Sequence, residues 1–254
     1  MIGWTQVAGS LVLVGIAVLL SFWRGVRIEQ EIGWAVLRSF VQLVALGFVI
    51  KQIFEARNIA WVVPVLAAMT FFGAVTARNR ARGVPNAFPI LLVSIGAAVA
   101  ATLGLGLAVG AVHATTRNVI PIGGAVIGQA MVASALALSR LQSEVARGRM
   151  EIEARLSLGA SARQAADPIL RRSLSAGMLG TVDSTKSAGI VAIPGTTVGM
   201  LLAGAAPLDA IRLQLVLFYL LVGSTSIVVV LATTLSVRGF FTPAHQLRDL
   251  EPAT

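Results

Sequence analysis

The charged residues of the sequence separate stretches that are long, apolar and almost free of charge. An α-helix needs about 20 mostly apolar residues to cross a bilayer. We predict seven spans, at about 4–23, 32–50, 59–77, 88–111, 119–139, 183–203 and 210–236. Only 12% of the 254 residues are charged, whereas a soluble domain carries about 25%. The chain is therefore expected to be an all-α integral membrane protein with a single transmembrane domain.

Basic residues are distributed unevenly over the loops between these spans. The loops on one side carry fourteen of the twenty Lys and Arg residues, and those on the other side carry four. Because Lys and Arg accumulate in cytoplasmic loops, we predict that the N-terminus is outside and the C-terminus is cytoplasmic. Residues 1–23 contain no Lys or Arg, so the first span does not begin like a cleaved leader. These loops explain the net charge of +9, and no nucleic-acid partner is expected.

The longest polar segment, residues 140–182, is predicted to be cytoplasmic and helical. Small and apolar residues recur there at helical spacing: Ile152, Leu156, Gly159, Ala162, Ala166 and Ile169. Ser161 followed by Gln164 matches a capping box, and Gly159 can end the preceding helix. The pattern predicts a helix, a sharp turn and a second helix. The alternative is an amphipathic helix lying on the lipid headgroups.

The sequence lacks the residue patterns that enzymes use. Its two lysines, Lys51 and Lys186, do not follow glycine, so a Walker A loop is impossible. His113 and His245 fall in different loops on opposite sides, and there is no cysteine. We therefore expect no enzyme activity, no nucleotide hydrolysis and no cofactor in this chain.

Four ionisable or polar residues lie within or beside the predicted spans, where such groups tend to be functional. Arg38 has Gln42 one turn later, and this arginine can either snorkel to the interface or line a substrate path. Asp183 and Lys186 are three residues apart and share a helix face. They are expected to form either a structural ion pair or a polar station on a path.

The predicted sixth span contains the sequence Ile-Pro-Gly-Thr-Thr-Val-Gly, residues 193–199. Pro194 removes a backbone donor and Gly195 tolerates unwinding, so the helix is expected to kink or break there. A break at membrane depth is tolerated where it is buried or lines a cavity. The hydroxyls of Thr196 and Thr197 would add oxygen ligands suited to a hard cation or a polar solute.

Several segments together resemble those of the FetB-type permeases, which are membrane subunits of ATP-binding-cassette transporters linked to bacterial iron export. The plant half-transporter subunits involved in aluminium tolerance are similar. The segments that carry the resemblance are residues 119–124, 128–133, 156–161, 163–165, 181–186, 194–195 and 202–205, Gln214, 240–241 and 245–247.

The resemblance implies a permease in the inner membrane that exports a metal ion, most simply iron. It also implies a separate ATPase chain that binds ATP and Mg, and a homodimer of permeases in a complex of two permeases and two ATPases. The turn in the polar segment would then be a coupling helix that docks on the ATPase. The residues to which the resemblance gives this role are Glu151, Glu153, Ala154, Leu156, Gly159, Ala160 and Ser161.

The sequence departs from the family pattern after Pro194-Gly195. Family members commonly carry two methionines there, whereas this chain has Thr196-Thr197. Thioethers favour soft metals and hydroxyls favour hard ones, so the departure bears on the cargo and not on the fold. Two other classes stay open: a stand-alone channel or proton-coupled carrier, and a receptor or assembly protein whose arginine-rich loop binds lipid.

Overall fold

The computed structural model describes residues 3–25, 28–56, 58–242, 244 and 246–248, so Arg27, Arg57 and His245 lie outside the described residues. Within that part of the chain every regular element is a helix, in agreement with the all-α prediction. The chain divides into two compact units, Met1–Asn58 and Ile59–Thr254.

The first unit consists of two long helices, α1 (Trp4–Arg24) and α2 (Glu29–Ala56). Helix α1 ends at Gly25, whose φ of 67° is readily adopted by glycine. Trp4 packs edge-on against Phe40, with ring centroids 6.1 Å apart. Most apolar side chains of both helices are exposed, as they would be in helices surrounded by lipid.

The second unit begins with a 3-10 turn (Ile59–Trp61) and continues as a helical bundle. Its described helices are α3 (Val62–Arg80), α4 (Ala87–Ala108), α5 (Thr116–Arg147), α6 (Arg149–Ser157), α7 (Ala162–Ser187), α8 (Gly195–Leu202) and α9 (Pro207–Gly239). Helix α5 is central and contacts α3, α4, α7 and α9. Its side chains Val126, Leu138 and Leu141 are fully buried.

Six helices in the described residues are long and apolar enough to cross a membrane: α1, α2, α3 with its preceding turn, α4, α5 and α9. They correspond to six of the seven predicted spans. The predicted span 183–203 is not one continuous helix, because α7 ends at Ser187 and α8 begins only at Gly195. Gly189 between them has a φ of 84°, which an α-helix does not accommodate.

Helix α7 lies against α5 and α9 well before residue 183. At Gly177 an added Cβ atom would be 2.7 Å from the Cβ of Ala137 and 2.9 Å from a methyl of Val229. Ser173 on the same face is also fully buried. Only a residue without a side chain permits this close approach. The part of α7 that packs in the bundle therefore begins before residue 183, where the predicted apolar span begins.

One end of the second unit collects the arginines, and we call it the basic end. An added Cβ at Gly83 would lie 2.5 Å from Nε2 of Gln142, and one at Gly239 would lie 3.2 Å from Pro85. The end of α3, the start of α4 and the ends of α5 and α9 therefore meet there. The arginines on these segments and on α6 and α7 are Arg78, Arg80, Arg82, Arg140, Arg147, Arg149, Arg155, Arg163, Arg171, Arg172 and Arg238.

Candidate functional site

A sharp turn at the basic end joins α6 to α7, as the sequence predicts. Gly159 has a φ of 89°, and its N–H donates to the carbonyl oxygen of Leu156 at 3.0 Å. The N–H of Ala160 donates to the carbonyl of Arg155 at 3.1 Å. These bonds satisfy carbonyl groups at the end of α6, and the left-handed backbone requires glycine at this position.

The capping box predicted for the second helix is present. The side-chain oxygen of Gln164 accepts from the Ser161 N–H at 2.9 Å, and the Ser161 hydroxyl accepts from the Gln164 N–H at 3.4 Å. Helix α7 therefore begins at Ala162. Caps of this kind contribute about 1 kcal/mol to helix stability, so the turn has a defined geometry without any partner.

The exposed surface of the turn combines apolar and paired charged side chains. Met150 and Leu158 are 83% and 87% exposed. Beside them Arg155 pairs with Glu151 at 2.7 Å, and Arg149 pairs with Glu153 at 2.8 Å. We call this surface, residues 149–161, the α6–α7 tip.

The residues to which the family resemblance gives a role in ATPase coupling all lie in the α6–α7 tip. Glu151, Glu153, Ala154 and Gly159 are exposed, and Leu156, Ala160 and Ser161 are half-buried. The predicted apolar stripe is divided between two helices. Its members Ile152, Ala166 and Ile169 are buried by the protein itself, whereas Gly159 lies exposed in the turn.

Glu144 connects the α6–α7 segment to the end of α5, and this role was not predicted from the sequence. Its buried carboxylate accepts from Arg140 at 2.7 Å and from Arg172 of α7 at 2.9 Å. The Arg140 pair has the i, i+4 spacing that sequence can reveal, but Arg172 is 28 residues away. A second pair on α7 joins Arg171 to Asp167, and this hydrogen bond raises the pKa of the Arg171 guanidinium.

The predicted break near Pro194-Gly195 is an interruption seven residues long, not a kink. Pro194 has a φ of −61° and is the N-cap of α8. Upstream, Gly189 donates its N–H to the carbonyl of Ala192 at 2.9 Å, so the segment closes into a compact turn. The interruption extends back to Ala188 because Gly189 already leaves the helical backbone region.

A largely apolar cavity of about 330 Å³ opens between this break and α9. Its polar side chains are Thr197 and Gln214, both buried, and the Thr197 hydroxyl donates to Oε1 of Gln214 at 3.2 Å. The apolar lining side chains include Ile193, Pro194, Leu201, Ile211, Leu215 and Phe218. Of the two threonines only Thr197 lines the cavity. Thr196 and the preceding Gly195 are exposed and are not among the lining residues.

A cluster of three polar side chains joins α5, α7 and α9 inside the bundle. Nε2 of Gln129 donates to Oγ1 of Thr181 at 2.6 Å, and the hydroxyl oxygens of Thr181 and Thr225 are 3.1 Å apart. Gln129 and Thr225 lie near the midpoints of α5 and α9. Thr181 is therefore at the middle of the bundle and not at its edge.

Asp183 and Lys186 follow Thr181 on the opposite face of α7. At 1.5 Å per residue they lie about 3 Å and about 7 Å farther along the helix axis. Both are exposed in the second unit, and no ion pair joins them within 4 Å. The structural ion pair is thus absent, although Asp209 and Arg212 pair at 3.2 Å with the same i, i+3 spacing, so this spacing permits a pair without requiring it.

The remaining two path candidates lie in the first unit. Arg38 and Gln42 are both exposed on α2, and no hydrogen bond joins their side chains. Within the described residues there is also no group of three His, Cys, Asp or Glu side chains that could hold a metal ion.

Comparison with known proteins identifies relatives over almost the whole chain. A family profile described as "Uncharacterised protein family (UPF0014)" matches residues 4–241. The "UPF0014 membrane protein STAR2" of Oryza sativa subsp. japonica is 35% identical over 98% of this chain and 87% of its own length. No solved structure matches the chain.

Two further relatives have names that refer to a function. "Protein ALUMINUM SENSITIVE 3" of Arabidopsis thaliana is 34% identical over 97% of this chain and 90% of its own. The "Probable iron export permease protein FetB" of Escherichia coli (strain K12) is 32% identical over 95% of this chain and 93% of its own.

Proposed function

The chain belongs to the UPF0014 family of multi-pass membrane proteins, and on that premise we propose that it is the membrane subunit of an ATP-binding-cassette transporter. In this proposal a separate ATPase chain binds ATP and Mg and docks on the α6–α7 tip. The E. coli relative is named as a probable permease. This sequence itself has no Walker A loop with which to hydrolyse ATP.

The single observation that carries the proposal is the α6–α7 tip. Leu158 is 87% exposed at the end of the short polar helix α6, next to the glycine turn, and Met150 on the same helix is 83% exposed. The tip is held in shape by Gly159, the capping box and Glu144 before any partner binds. A preformed helix end with one apolar anchor suits insertion into a groove of a partner protein.

Co-purification tests whether this partner exists. The tagged protein is extracted from its native membrane in mild detergent, and the chains that co-purify are identified by mass spectrometry. We expect one soluble chain with a Walker A loop in stoichiometric amount. Recovery of the protein alone in several detergents, and after chemical cross-linking in the membrane, would contradict the proposal.

The proposed topology has seven crossings, with the basic end in the cytoplasm. The sixth crossing is made of the second half of α7, the break and α8, which together precede the long helix α9. Seven crossings leave the N-terminus outside and the C-terminus in the cytoplasm. The concentration of arginines at one end supports this orientation.

The exposed face of α7 supports a homodimer. Asp183 and Lys186 lie near mid-depth, where a charged side chain facing lipid costs about 2.5–3.5 kcal/mol on insertion scales. Leu179 and Ile190 flank them and are 55% and 91% exposed. We propose that two copies face each other here and that Asp183 lines the path between them.

We propose that the cargo is a cation, and iron is the specific candidate. A carboxylate at Asp183 and the oxygens of Thr197 and Gln214 are hard ligands that suit such an ion. The proposal of iron as the cargo and of export as the direction of transport rests on the name of the E. coli relative. The name of the Arabidopsis relative refers to aluminium, which is also a hard metal. Transport is therefore to be measured with aluminium ions as well as with iron.

A proton-coupled carrier that works without an ATPase is the alternative, and the position of Asp183 favours it. Carriers use carboxylates at membrane depth for proton relays, and Asp183 lies close to the middle of the bundle. The co-purification experiment separates the two functions, because only the first requires a stoichiometric partner.

A further inference from the structure

A cavity of about 650 Å³ opens at the basic end, between the end of α3 and the start of α4. It shares no lining residue with the α6–α7 tip or the helix break, and the proposed function does not use it. Four nitrogen-bearing side chains supply its polar lining: Arg78, Asn79, Arg82 and Asn86. No aspartate or glutamate is among the lining residues.

The two arginines of this cavity have no counter-ion in the part of the chain that the structure describes. Neither Arg78 nor Arg82 has a carboxylate within 4 Å. Elsewhere at the same end Arg140, Arg155 and Arg171 each pair with an acid. Unpaired guanidinium groups that line one cavity are suited to phosphate, which they bind through two parallel N–H···O bonds.

The loop that forms the cavity is fixed by its packing. Ala81, Val84 and Ala87 are buried. Gly83 has a φ of 85° and lies so close to Gln142 of α5 that an added Cβ would be 2.5 Å from Nε2. The backbone of the loop is therefore in place before a ligand arrives, which lowers the entropy lost on binding, while the side chains of Arg78 and Arg82 are exposed.

The first turn of α4 adds to the positive potential at this site. Asn86 is its N-cap, with a φ of 52°, and its side chain makes no capping bond. In this turn the N–H groups of Ala87 and Phe88 have no acceptor within the helix, and Pro89 has no N–H. The positive end of the α4 dipole thus faces the cavity together with the two arginines.

The position of the cavity indicates where the phosphate comes from. Helices α3 and α4 are both candidate membrane spans, and the cavity lies where α3 ends at Arg80 and α4 begins at Ala87. That is the level of the lipid headgroups. Phe88 and Pro89 provide an apolar side to the same cavity. We propose that this cavity binds the phosphate group of an anionic phospholipid.

Lipid binding to the purified full-length protein tests this proposal. Native mass spectrometry measures the affinity for phosphatidylglycerol of the wild type and of the Arg78→Gln/Arg82→Gln variant. The matched control, Arg80→Gln/Arg238→Gln, removes the same charge from the same end but outside the cavity. We expect a loss of about tenfold in affinity for the first variant, as for charge-assisted bonds to phosphate, and less than about twofold for the control.

Two results would overturn the proposal. Equal losses in both variants would show that lipid follows the overall charge of the basic end and not the cavity. Displacement of the lipid by about 1 mM inorganic phosphate would assign the cavity to a soluble ligand. If the double variant does not fold, Asn86→Asp introduces a negative charge into the cavity while retaining both arginines, and it is expected to weaken lipid binding equally.

Discussion

The hydroxyl oxygens of Thr181 and Thr225 lie 3.1 Å apart and join α7 to α9 in the middle of the bundle. Gln129 of α5 donates to the first of them at 2.6 Å. These hydrogen bonds set the position of α7 along the long axes of α5 and α9. Asp183 and Lys186 therefore lie far from the ends of the spans. The proposals for the dimer and the path depend on this position.

Replacement of Thr181 tests the contribution of this cluster to stability. Thr181→Val removes both hydrogen bonds and leaves Nε2 of Gln129 without its acceptor, which is expected to destabilise the protein by about 1–3 kcal/mol. Thr181→Ser keeps the hydroxyl and serves as the control. Thermal unfolding in detergent measures the difference. Equal midpoints for the Val and Ser variants would show that the cluster has no role in holding α7.

The proposed orientation can be measured because the chain has no cysteine of its own. Leu158 at the α6–α7 tip and Val109 at the opposite end of α4 are both highly exposed, at 87% and 72%. We expect a membrane-impermeant maleimide to label Val109→Cys in intact cells and Leu158→Cys only after the membrane is opened. The reverse pattern would place the basic end outside.

Single cysteines also test the dimer. Leu179 is on the exposed face of α7, and Val93 is a comparably exposed residue of α4. A short bismaleimide is expected to link Leu179→Cys chains into dimers in native membranes and to leave Val93→Cys chains as monomers. Monomers from both variants, at normal amounts of protein in the membrane, would contradict a dimer built on this face.

The two threonines after the helix break make a matched pair for transport. Thr197→Val leaves Oε1 of Gln214 without its donor inside the cavity, whereas Thr196→Val changes an exposed side chain. We expect Thr197→Val to lower ATP-driven uptake of iron or aluminium ions into inside-out vesicles several-fold and Thr196→Val to leave it unchanged. Asp183→Asn is expected to lower it as well. If all three variants transport normally, the break and the α7 face are not on the path.

Local signals in the sequence were sufficient to predict the turn and the helix cap of the α6–α7 tip. Ser161, Gln164 and Gly159 act on their own backbone neighbours, so the turn and the cap can be predicted without knowledge of the fold. The same holds for the six continuous spans, where length and hydropathy dominate. These predictions agree with the structure because each depends on residues within a few positions of one another.

The start of the proposed sixth crossing could not be predicted from hydropathy, because tertiary contacts determine where α7 enters the bundle. Arg171 and Arg172 make the first half of α7 look cytoplasmic, yet Gly177 packs against Ala137 and Val229 less than two turns later. The contact between Glu144 and Arg172 also joins residues far apart in sequence. The predicted span 183–203 begins at Asp183 for the same reason, since the hydropathy pattern does not show which residues of α5 and α9 lie beside Thr181.

The docking of an ATPase on the α6–α7 tip is the central claim, and one pair of variants tests it most directly. Leu158→Asp places a charge at the exposed apolar anchor, and Val109→Asp makes an equivalent change at the opposite end of the bundle. Gly159→Asp and Gly110→Asp form a second pair, since both glycines have positive φ and open space around the Cβ position. The amount of Walker-A-containing chain that co-purifies with each variant is measured against the wild type.

We expect Leu158→Asp and Gly159→Asp to reduce the recovered ATPase about tenfold, equivalent to about 1.4 kcal/mol of binding free energy. Val109→Asp and Gly110→Asp are expected to recover it as the wild type does. Undiminished recovery with both tip variants, at normal amounts of protein in the membrane, would contradict docking at this site.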